Sequence, residues 1–424
     1  MDVRPGYKQT EVGVIPEDWE VVPLSSTARR ISRGASPRPI DSPIWFDDSS
    51  SVGWVRISDV TRANRYLFET EQRLSDAGVR SSRFVPSGSL IMSICATVGR
   101  PIETRIDTCI HDGFVVFCKP TVDQPFLYHV LSSLEPTWSA RGQTGSQMNL
   151  NTGLINGRAF ALPPTEAEQR AIAAALNDVD ALLGGLDRLI AKKRDLKQVV
   201  MQELLTGKRR LPGFGGEWAI KTLGDLFTFG GGFSASRDQL SSKGYSYLHY
   251  GDIHGCLKTF IDVRSDYQDL PKLDIPLNRV SPSSLLEDGD VVFVDASEDD
   301  EGTSRHVIVV NKDKTPFISG LHTIVAKGKT DELDYHYRRH CFQTASIKRQ
   351  FYYYSVGTKV SGISKTNIAR LILPVPPLPE QAAIATVLSD MDTELAALKT
   401  RRDKTRDVKQ AMMQELLTGK TRLV

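Results

Sequence analysis

The sequence has 424 residues, more than one ordinary hydrophobic core can hold and typical of two or more domains. With 40% hydrophobic and 25% charged residues it is globular in composition, and a formal net charge of +2 excludes a surface that is strongly basic throughout. No apolar signal segment and no run of 18 apolar residues occurs, so we expect a cytoplasmic protein without a membrane span. The five cysteines form no CxxC pair, in keeping with a reducing compartment.

The first domain, residues 1–163, is predicted to consist of short strands joined by polar loops. Runs rich in β-branched and aromatic residues, at 54–60, 89–95 and 113–119, are bounded by Gly, Pro, Ser or Asp. Residues 125–138 are predicted to form a helix. The pattern indicates an α+β domain.

A long helix is predicted for residues 164–211. Pro164, Glu166 and Glu168 are typical of a helix start, and Gly207 is typical of a helix end. At ~1.5 Å per residue the helix should measure roughly 60 Å. Apolar residues recur at alternating spacings of four and three, as in a coiled-coil seam, and the seam includes Ile172, Leu176, Val179, Leu183, Leu186 and Ile190 and continues through Leu196, Val200 and Leu204.

The second domain, residues 212–375, is predicted to resemble the first in kind. Strand-like runs occur at 245–253, 289–296 and 306–310, and a helix is predicted at 331–346. A long polar loop at 295–305 stands where the first domain has the shorter segment 94–100. Trp19 and Trp218 occupy matching places at the starts of the two domains.

Residues 376–424 repeat the long helix. With an offset of 212 and no gap, 26 of the 48 positions in 164–211 are identical in 376–423, whereas the two domains differ in most of their sequence. This indicates two copies of one unit. The second seam includes Ile384, Leu388, Met391, Leu395 and Leu398, followed by Val408, Met412 and Leu416.

Neither helix can bury its apolar stripe alone, so each needs a partner. Pairing with a second copy of the chain is one possibility. Internal antiparallel pairing satisfies both stripes within one chain and gives a pseudo-two-fold internal repeat with one domain at each end of the helix pair. The stripe is interrupted where Leu189 and Ile190 become Arg401 and Arg402. The predicted fold class is therefore α+β, with two α/β domains separated by two long helices that pair as an antiparallel coiled coil.

Familiar catalytic motifs are absent from the sequence. The sequence has no P-loop, no GxGxxG that opens a helix, no HExxH and no GxSxG nucleophile elbow. His336 and His340, next to Cys341, could bind a metal, but an aromatic and basic helical face is the preferred interpretation. The acidic segment 298–301 is interpreted as a solvated loop rather than a cation site. We expect a chain that is not itself an enzyme and that holds neither metal nor cofactor.

Polar, glycine-containing loops with basic residues recur at matching places in both domains. They lie at 31–39 and 140–151 in the first domain and at 229–237 and 354–367 in the second. Arg, Lys, Ser, Asn and Gln side chains beside glycines can reach DNA phosphates and base edges. Any one such loop is more often simply solvated, and it is their recurrence that favours a nucleic-acid interface.

The proline-rich lead into Glu168–Ile172 and Glu380–Ile384, the heptad helix and the closing QELLTGKxRL resemble the conserved helical regions of type I restriction–modification specificity (S, HsdS) subunits. The resemblance covers nearly the whole chain. It implies two target recognition domains, at 1–163 and 212–375, and two helical spacer regions, at 164–211 and 376–424. It also implies a non-catalytic subunit that reads a bipartite asymmetric DNA site, one half-site per domain.

The resemblance further implies the partners and the DNA-contacting residues. The partners are double-stranded DNA, two modification (methyltransferase) subunits and restriction (endonuclease and translocase) subunits, with S-adenosylmethionine and ATP/Mg bound by those subunits. Asp59 and Asp252 lie in a recurring turn and either fix it, the preferred interpretation, or touch a base. The residues that match the family's recognition segments are Arg33, Gly34, Ser36, Arg38, Gly145, Ser146, Gln147, Ser234, Ser236, Arg237, Gly357, Thr358 and Lys359.

Two other functions stay open from the sequence. One is a coiled-coil interaction scaffold whose variable domains bind protein or glycan ligands. The other is a nuclease or methyltransferase whose site has no familiar motif. Salt-sensitive DNA binding in the presence of the partners separates the first from a DNA-reading subunit.

Overall fold

The computed structural model describes residues 4–138, 150–255, 259–297, 304–357 and 361–423. The chain divides into two compact units. Unit 1 is Met1–Asp187 with Thr400–Val424, and unit 2 is Arg188–Lys399. Each unit therefore contains one α/β domain and a segment of each long helix. None of the described helices is long and apolar enough to cross a membrane.

Two long helices are shared between the units, and the remaining helices are short. The helices of unit 1 are α1 (Ile57–Arg62), α2 (Asp76–Arg80), α3 (Gln124–Trp138), α4 (Thr152–Asn156) and the first part of α5 (Glu166–Leu205). The helices of unit 2 are α6 (Leu223–Leu226), α7 (Tyr250–Gly255), α8 (Arg338–Cys341), α9 (Ala345–Tyr354), α10 (Lys365–Ile368) and the first part of α11 (Leu378–Leu416).

The strands are short and fall evenly into the two units. Those of unit 1 are β1 (Tyr7–Thr10), β2 (Gly13–Pro16), β3 (Glu20–Pro23), β4 (Ala28–Arg33), β5 (Gly53–Val55), β6 (Tyr66–Leu67), β7 (Gln72–Arg73), β8 (Arg83–Val85), β9 (Leu90–Ser93), β10 (Pro101–Thr104), β11 (Thr108–Ile110), β12 (Phe114–Pro120) and β13 (Ala159–Leu162). Those of unit 2 are β14 (Ala219–Thr222), β15 (Phe227–Gly231), β16 (Leu240–Ser241), β17 (Tyr245–Leu248), β18 (Phe260–Asp262), β19 (Lys272–Leu273), β20 (Val291–Val294), β21 (Ala296–Ser297), β22 (His306–Val310), β23 (Phe317–Ser319), β24 (Thr323–Gly328), β25 (Ser361–Gly362) and β26 (Ile372–Val375).

The two domains share one sheet topology. The five-stranded sheet of unit 1 has the order β4-β12-β9-β10-β6, and that of unit 2 has β15-β24-β20-β22-β18. In both sheets only the last pair is parallel. The middle strands β9 and β20 are buried at every residue, which explains why all their residues but Ser93 are apolar. A four-stranded sheet in each unit pairs β5 with β11, or β17 with β23, in parallel.

One predicted helix is wrong. Residues 331–346 do not form a single helix, because Thr344 begins a new one. Its hydroxyl accepts a hydrogen bond from the Ile347 amide at 3.2 Å, and α9 starts at Ala345, after the short α8. Among the residues that the structure describes, no group of three or more His, Cys, Asp or Glu side chains is placed to hold a metal.

Ion pairs set the register of α5 against α11, and they show that the helices run antiparallel. In unit 1 Lys409 Nζ lies 2.6 Å from Asp180 Oδ1. In unit 2 Lys197 pairs with Asp392 at 2.5 Å. Lys197 and Lys409 are equivalent in the repeat, as are Asp180 and Asp392, so one ion pair occurs twice.

The predicted seam is wrong at Leu196 and Val408, but it is confirmed at Leu204 and Leu416, which are buried. Leu196 and Val408 are 47% and 53% exposed instead of buried. After Ile190, which is buried, the inward positions of α5 fall on Lys193 and Lys197, whose ammonium groups pair with carboxylates of α11. A lysine can place its aliphatic stem in the seam and its charge at the edge, so polar residues continue the contact.

The arginine interruption also lies at this contact. Arg402 stands where α5 has Ile190, and its guanidinium lies 3.7 Å from Asp187 Oδ1 in unit 1. It also contacts Asp403 at 2.8 Å. The break in the apolar pattern is therefore an ion pair between the two helices.

A glutamine that recurs at the start of each long helix attaches that helix to its own domain. Gln169 accepts a hydrogen bond from the Asp123 amide at 3.0 Å and donates to Pro163 O at 3.2 Å. Its equivalent, Gln381, accepts from the Asp334 amide at 2.7 Å and also donates to backbone carbonyls. Both glutamines are buried, so these bonds are protected from water.

Glu168 and Glu380 directly precede these glutamines. Each binds an arginine that follows the C-terminal end of the other long helix. In unit 1, Arg422 binds both Glu168 and Asp18. In unit 2, Arg210 Nη2 lies 2.6 Å from Glu380 Oε2, which also accepts from Trp218 Nε1 at 3.0 Å. The repeated EQ and LLTGKxR segments thus bind each other reciprocally.

Two buried histidines make the stability of the fold depend on pH. His129 bonds Asn177 at 2.8 Å, and His340 lies 3.5 Å from Ser389, the repeat equivalent of Asn177. Burial lowers the pKa of each imidazole to about 4. Between pH 6.5 and about 4 the unfolded chain therefore binds more protons than the folded chain, and stability falls as the pH falls.

We predict that lowering the pH from 7 to 5 reduces the free energy of unfolding by about 2 kcal/mol for each of these histidines. Denaturant unfolding at the two pH values measures the change. His340→Gln, which does not titrate in this range, serves as the comparison and should show a smaller loss. An equal loss in both proteins would contradict the assignment.

Candidate nucleic-acid interface

The first predicted recognition loop begins at the end of β4, where the chain passes from one sheet to the other. The Gly34 amide donates to Phe114 O at 2.9 Å, and the Ala35 amide donates to Ile110 O at 3.0 Å. A Cβ on Gly34 would lie 2.0 Å from His111 O. Glycine is therefore required here by the neighbouring backbone.

Unit 2 repeats this crossing. The Gly232 amide donates to Thr323 O at 3.1 Å and the Phe233 amide to Ser319 O at 2.7 Å. A Cβ on Gly232 would lie 1.6 Å from Gly320 O. Gly34 and Gly232 are thus structural equivalents, and they place the residues after them at the same edge of each domain.

Most predicted contact residues on these loops are solvent-accessible. Arg33 is exposed and donates through Nε to Asp112 O at 2.6 Å, while Ser36 donates to the Asp112 carboxylate at 2.8 Å. Arg38 is exposed. In unit 2 the exposed residues are Ser234, Ser236, Arg237 and Gly357. Gly145, Ser146, Gln147, Thr358 and Lys359 lie outside the described residues.

The two recognition segments of unit 2 meet at one edge. A Cβ on Gly231, beside the first loop, would lie 2.9 Å from Lys365 Nζ, in the second segment. β21 pairs with β25, which brings the base of the polar loop 295–305 to the same segment. The surface is therefore formed by parts of the sequence that are more than a hundred residues apart.

The recurring turn at Asp59 and Asp252 has a structural role, as preferred from the sequence. Asp59 is buried, and its carboxylate accepts from the Arg56 amide at 2.8 Å. Asp252 accepts from the His249 amide at 2.9 Å. Each aspartate closes the first turn of a short helix and leaves residues 56–58, or 249–251, at the domain edge.

A small cavity of about 310 Å³ in unit 1 was not predicted from the sequence. It is lined by Ile40, Arg56, Ile57, Ser58 and His111. The parallel pairing of β5 with β11 brings Arg56 and His111 together, because each directly follows one of these strands. Burial lowers the pKa of His111, so the imidazole is neutral at pH 7.

The corresponding positions in unit 2 carry different side chains. His249 stands at the place of Arg56, and Tyr250 at the place of Ile57, because β17 pairs with β23 as β5 pairs with β11. The Tyr250 ring lies 4.4 Å from that of His249 and 5.6 Å from that of His322. One scaffold thus presents two different sets of polar groups.

The fold and the site define a class of protein with two α/β domains of the same topology in tandem. Each domain packs on segments of two antiparallel long helices, and the two domains carry different polar edges on a shared scaffold. Residues 215–405 match the family model described as the type I restriction modification DNA specificity domain. A putative type I restriction enzyme MjaX specificity subunit from Methanocaldococcus jannaschii is 23% identical over 448 residues, which cover 98% of this chain and 97% of that protein.

Solved structures agree with these sequence matches. The type I restriction–modification S subunit from M. genitalium has a TM-score of 0.56 at 12% identity, with 98% of each chain covered. A chain from a structure of the type I R-M system, described as showing complex assembly and conformational transition, has a TM-score of 0.60 at 16% identity, with 96% of this chain and 99% of that chain covered. The resemblance and the fold predicted from the sequence are confirmed: the chain is similar to type I specificity subunits in sequence and in fold.

Proposed function

We propose that this chain is the DNA sequence-specificity subunit of a type I restriction–modification complex. Each domain reads one half of a bipartite, asymmetric site, and the paired helices set the spacer between the halves. The observation that carries the proposal is the difference between the two domain edges on an otherwise shared scaffold, since equal domains would read equal half-sites. The match of residues 215–405 to a DNA specificity domain supports it.

The chain is proposed to supply specificity and not catalysis. Two modification subunits bind S-adenosylmethionine and methylate the DNA, and restriction subunits bind ATP and Mg²⁺ and cleave it. The chain itself is proposed to hold no cofactor.

The outer face of α5 supports docking of the modification subunits on the helices. Leu189, Leu196 and Val199 are 40%, 47% and 55% exposed, and their spacings of seven and three place them on one stripe. Their equivalents on α11 are Arg401, Val408 and Ala411, so the second helix offers a more polar stripe. An exposed apolar stripe with heptad spacing is typical of a helix that packs against another protein.

Methylation of a random duplex library tests this function. The purified chain alone is expected to methylate nothing. Together with its modification subunit and S-adenosylmethionine, it should methylate DNA at two different sequence blocks separated by a fixed spacer. Methylation or cleavage by the chain alone, or methylation at a single continuous block, would contradict the proposal.

A further inference from the structure

The cavity beside α1 is a polar site that the fold does not use. Arg56 is half-buried, yet it forms no ion pair with any residue that the structure describes. An arginine side chain without a counter-charge is available to bind an acceptor, and such binding offsets the cost of its partial burial. The nearby carboxylate of Asp59 is already bound by the Arg56 amide and by Arg62.

His111 offers a second donor with a defined direction. Its Nδ1 accepts a hydrogen bond from the Gly113 amide at 2.8 Å, which places the proton of the neutral ring on Nε2. The ring is held by Trp54 at 5.9 Å and by the edge of Phe114 at 4.8 Å. Nε2–H has no acceptor among the described residues, and the side chain is 15% exposed.

The chemistry of the lining decides which ligand fits. Arg56 and His111 are donors, Ser58 adds a hydroxyl, Ile40 and Ile57 form an apolar wall, and no lining residue is acidic. Such a site favours a flat group with two adjacent acceptors. In duplex DNA the major-groove edge of guanine, with N7 and O6, has this form and is the preferred partner of arginine.

The differences between unit 1 and unit 2 independently support a role in base recognition for these positions. The glycine crossing and the capping aspartate are the same in both domains, and they serve the fold. Arg56 and His249 follow directly on equivalent strands at the equivalent edge, yet their side chains differ in charge and shape. Positions that vary on a constant scaffold are where two domains can read different bases.

We infer that Arg56, with His111 and Ser58, forms a specificity pocket that reads the acceptor edge of a guanine in the half-site of the first domain. The counterpart around His249, Tyr250 and His322 reads a different base in the other half-site. This inference rests on the proposed function and adds to it the residues that determine the sequence.

The test uses the complex of the full chain with its modification subunit, and sequencing of the methylated library. Arg56→Ala should reduce the preference for G at one position of one block by about tenfold or more, and the other block should stay unchanged. Arg56→Lys keeps the charge but loses the two-pronged geometry, so it should also relax that position. Arg80→Ala, which removes an exposed arginine of α2 outside the cavity, is the matched control.

The outcomes are distinct. A uniform loss of methylation over all sequences, with a salt dependence reduced by about one charge, assigns Arg56 to a phosphate and overturns the inference. Unchanged preference in both Arg56 variants overturns it as well. If the unaltered complex shows no bipartite site, the proposed function fails first. Because the Asp59 cap uses the Arg56 backbone amide, the variants should keep their thermal unfolding midpoint, which is measured alongside.

Discussion

Replacement of Glu380 by alanine is expected to lower the free energy of unfolding of unit 2 by about 3 kcal/mol. Glu380 is fully buried, and its carboxylate binds both Arg210 and the indole N–H of Trp218. Its removal leaves the indole donor without its acceptor, and it leaves the Arg210 guanidinium with only the Gly215 and Gly216 carbonyls. Denaturant unfolding, followed by circular dichroism, measures the change.

Glu394→Ala is the control for this experiment. Glu394 also forms an ion pair between α5 and α11, with Lys193, but it is half exposed, and an exposed pair contributes little. A loss at Glu380 no larger than the loss at Glu394 would show that the helix-end contact does not stabilise unit 2.

The second large effect is expected from shortening the helices. Residues 184–190 of α5 lie between Asp180 and Lys197, and residues 399–405 of α11 lie between their ion-pair partners, Asp392 and Lys409. Deletion of both heptads keeps both ion pairs in register and shortens each helix by about 10.5 Å. If the helices set the spacer, the methylated site should have a spacer about 3 base pairs shorter.

Deletion of one heptad alone gives the contrasting result. With residues 184–190 removed and α11 intact, only one of the two repeated ion pairs can form, and the seams no longer match. We expect loss of methylation, measured on the same duplex library. An unchanged spacer in the double deletion would refute the role of the helices as a ruler.

Most of the fold that could be predicted from the sequence was predicted from its internal repeat. An offset without a gap identified two long helices, and α5 and α11 lie within the predicted ranges. The seam was predicted wrongly at Leu196 and Val408 but correctly at Leu204 and Leu416, because an apolar 4–3 pattern does not reveal that Lys193 and Lys197 take inward positions. Only the partner helix, with Glu394 and Asp392, explains lysines there.

The candidate site depends on contacts between distant parts of the chain that the sequence does not show. Gly34 was expected to contact DNA, but a sequence does not show whether a missing Cβ makes room for a ligand or for a neighbouring strand. Arg56 and His111 are 55 positions apart, and only the pairing of β5 with β11 brings them together. One signal was present in the sequence: the aligned turns before Asp59 and Asp252 carry arginine in one copy and histidine in the other.

The asymmetric ion pairs restrict which helices can pair. Asp187 attracts Arg402, but in a pair of two α5 helices the same place would hold Ile190, which carries no charge. Two α11 helices would set Arg402 against Lys399, and like charges repel. The interruption in the repeat therefore favours pairing of α5 with α11 over pairing of identical helices.

Unit 1 consists of two separate segments of the chain, and this determines the order in which the two units are completed during synthesis. Unit 2 is continuous in sequence, whereas unit 1 needs Thr400–Val424, which the ribosome adds after all of unit 2. Until then Asp18 and Glu168 lack Arg422, and Tyr7 lacks the Gly419 carbonyl that its hydroxyl binds at 3.0 Å. The domain that is translated first is thus completed last. Until then the nascent chain exposes the unpaired apolar face of α5, while the ribosome translates more than two hundred codons.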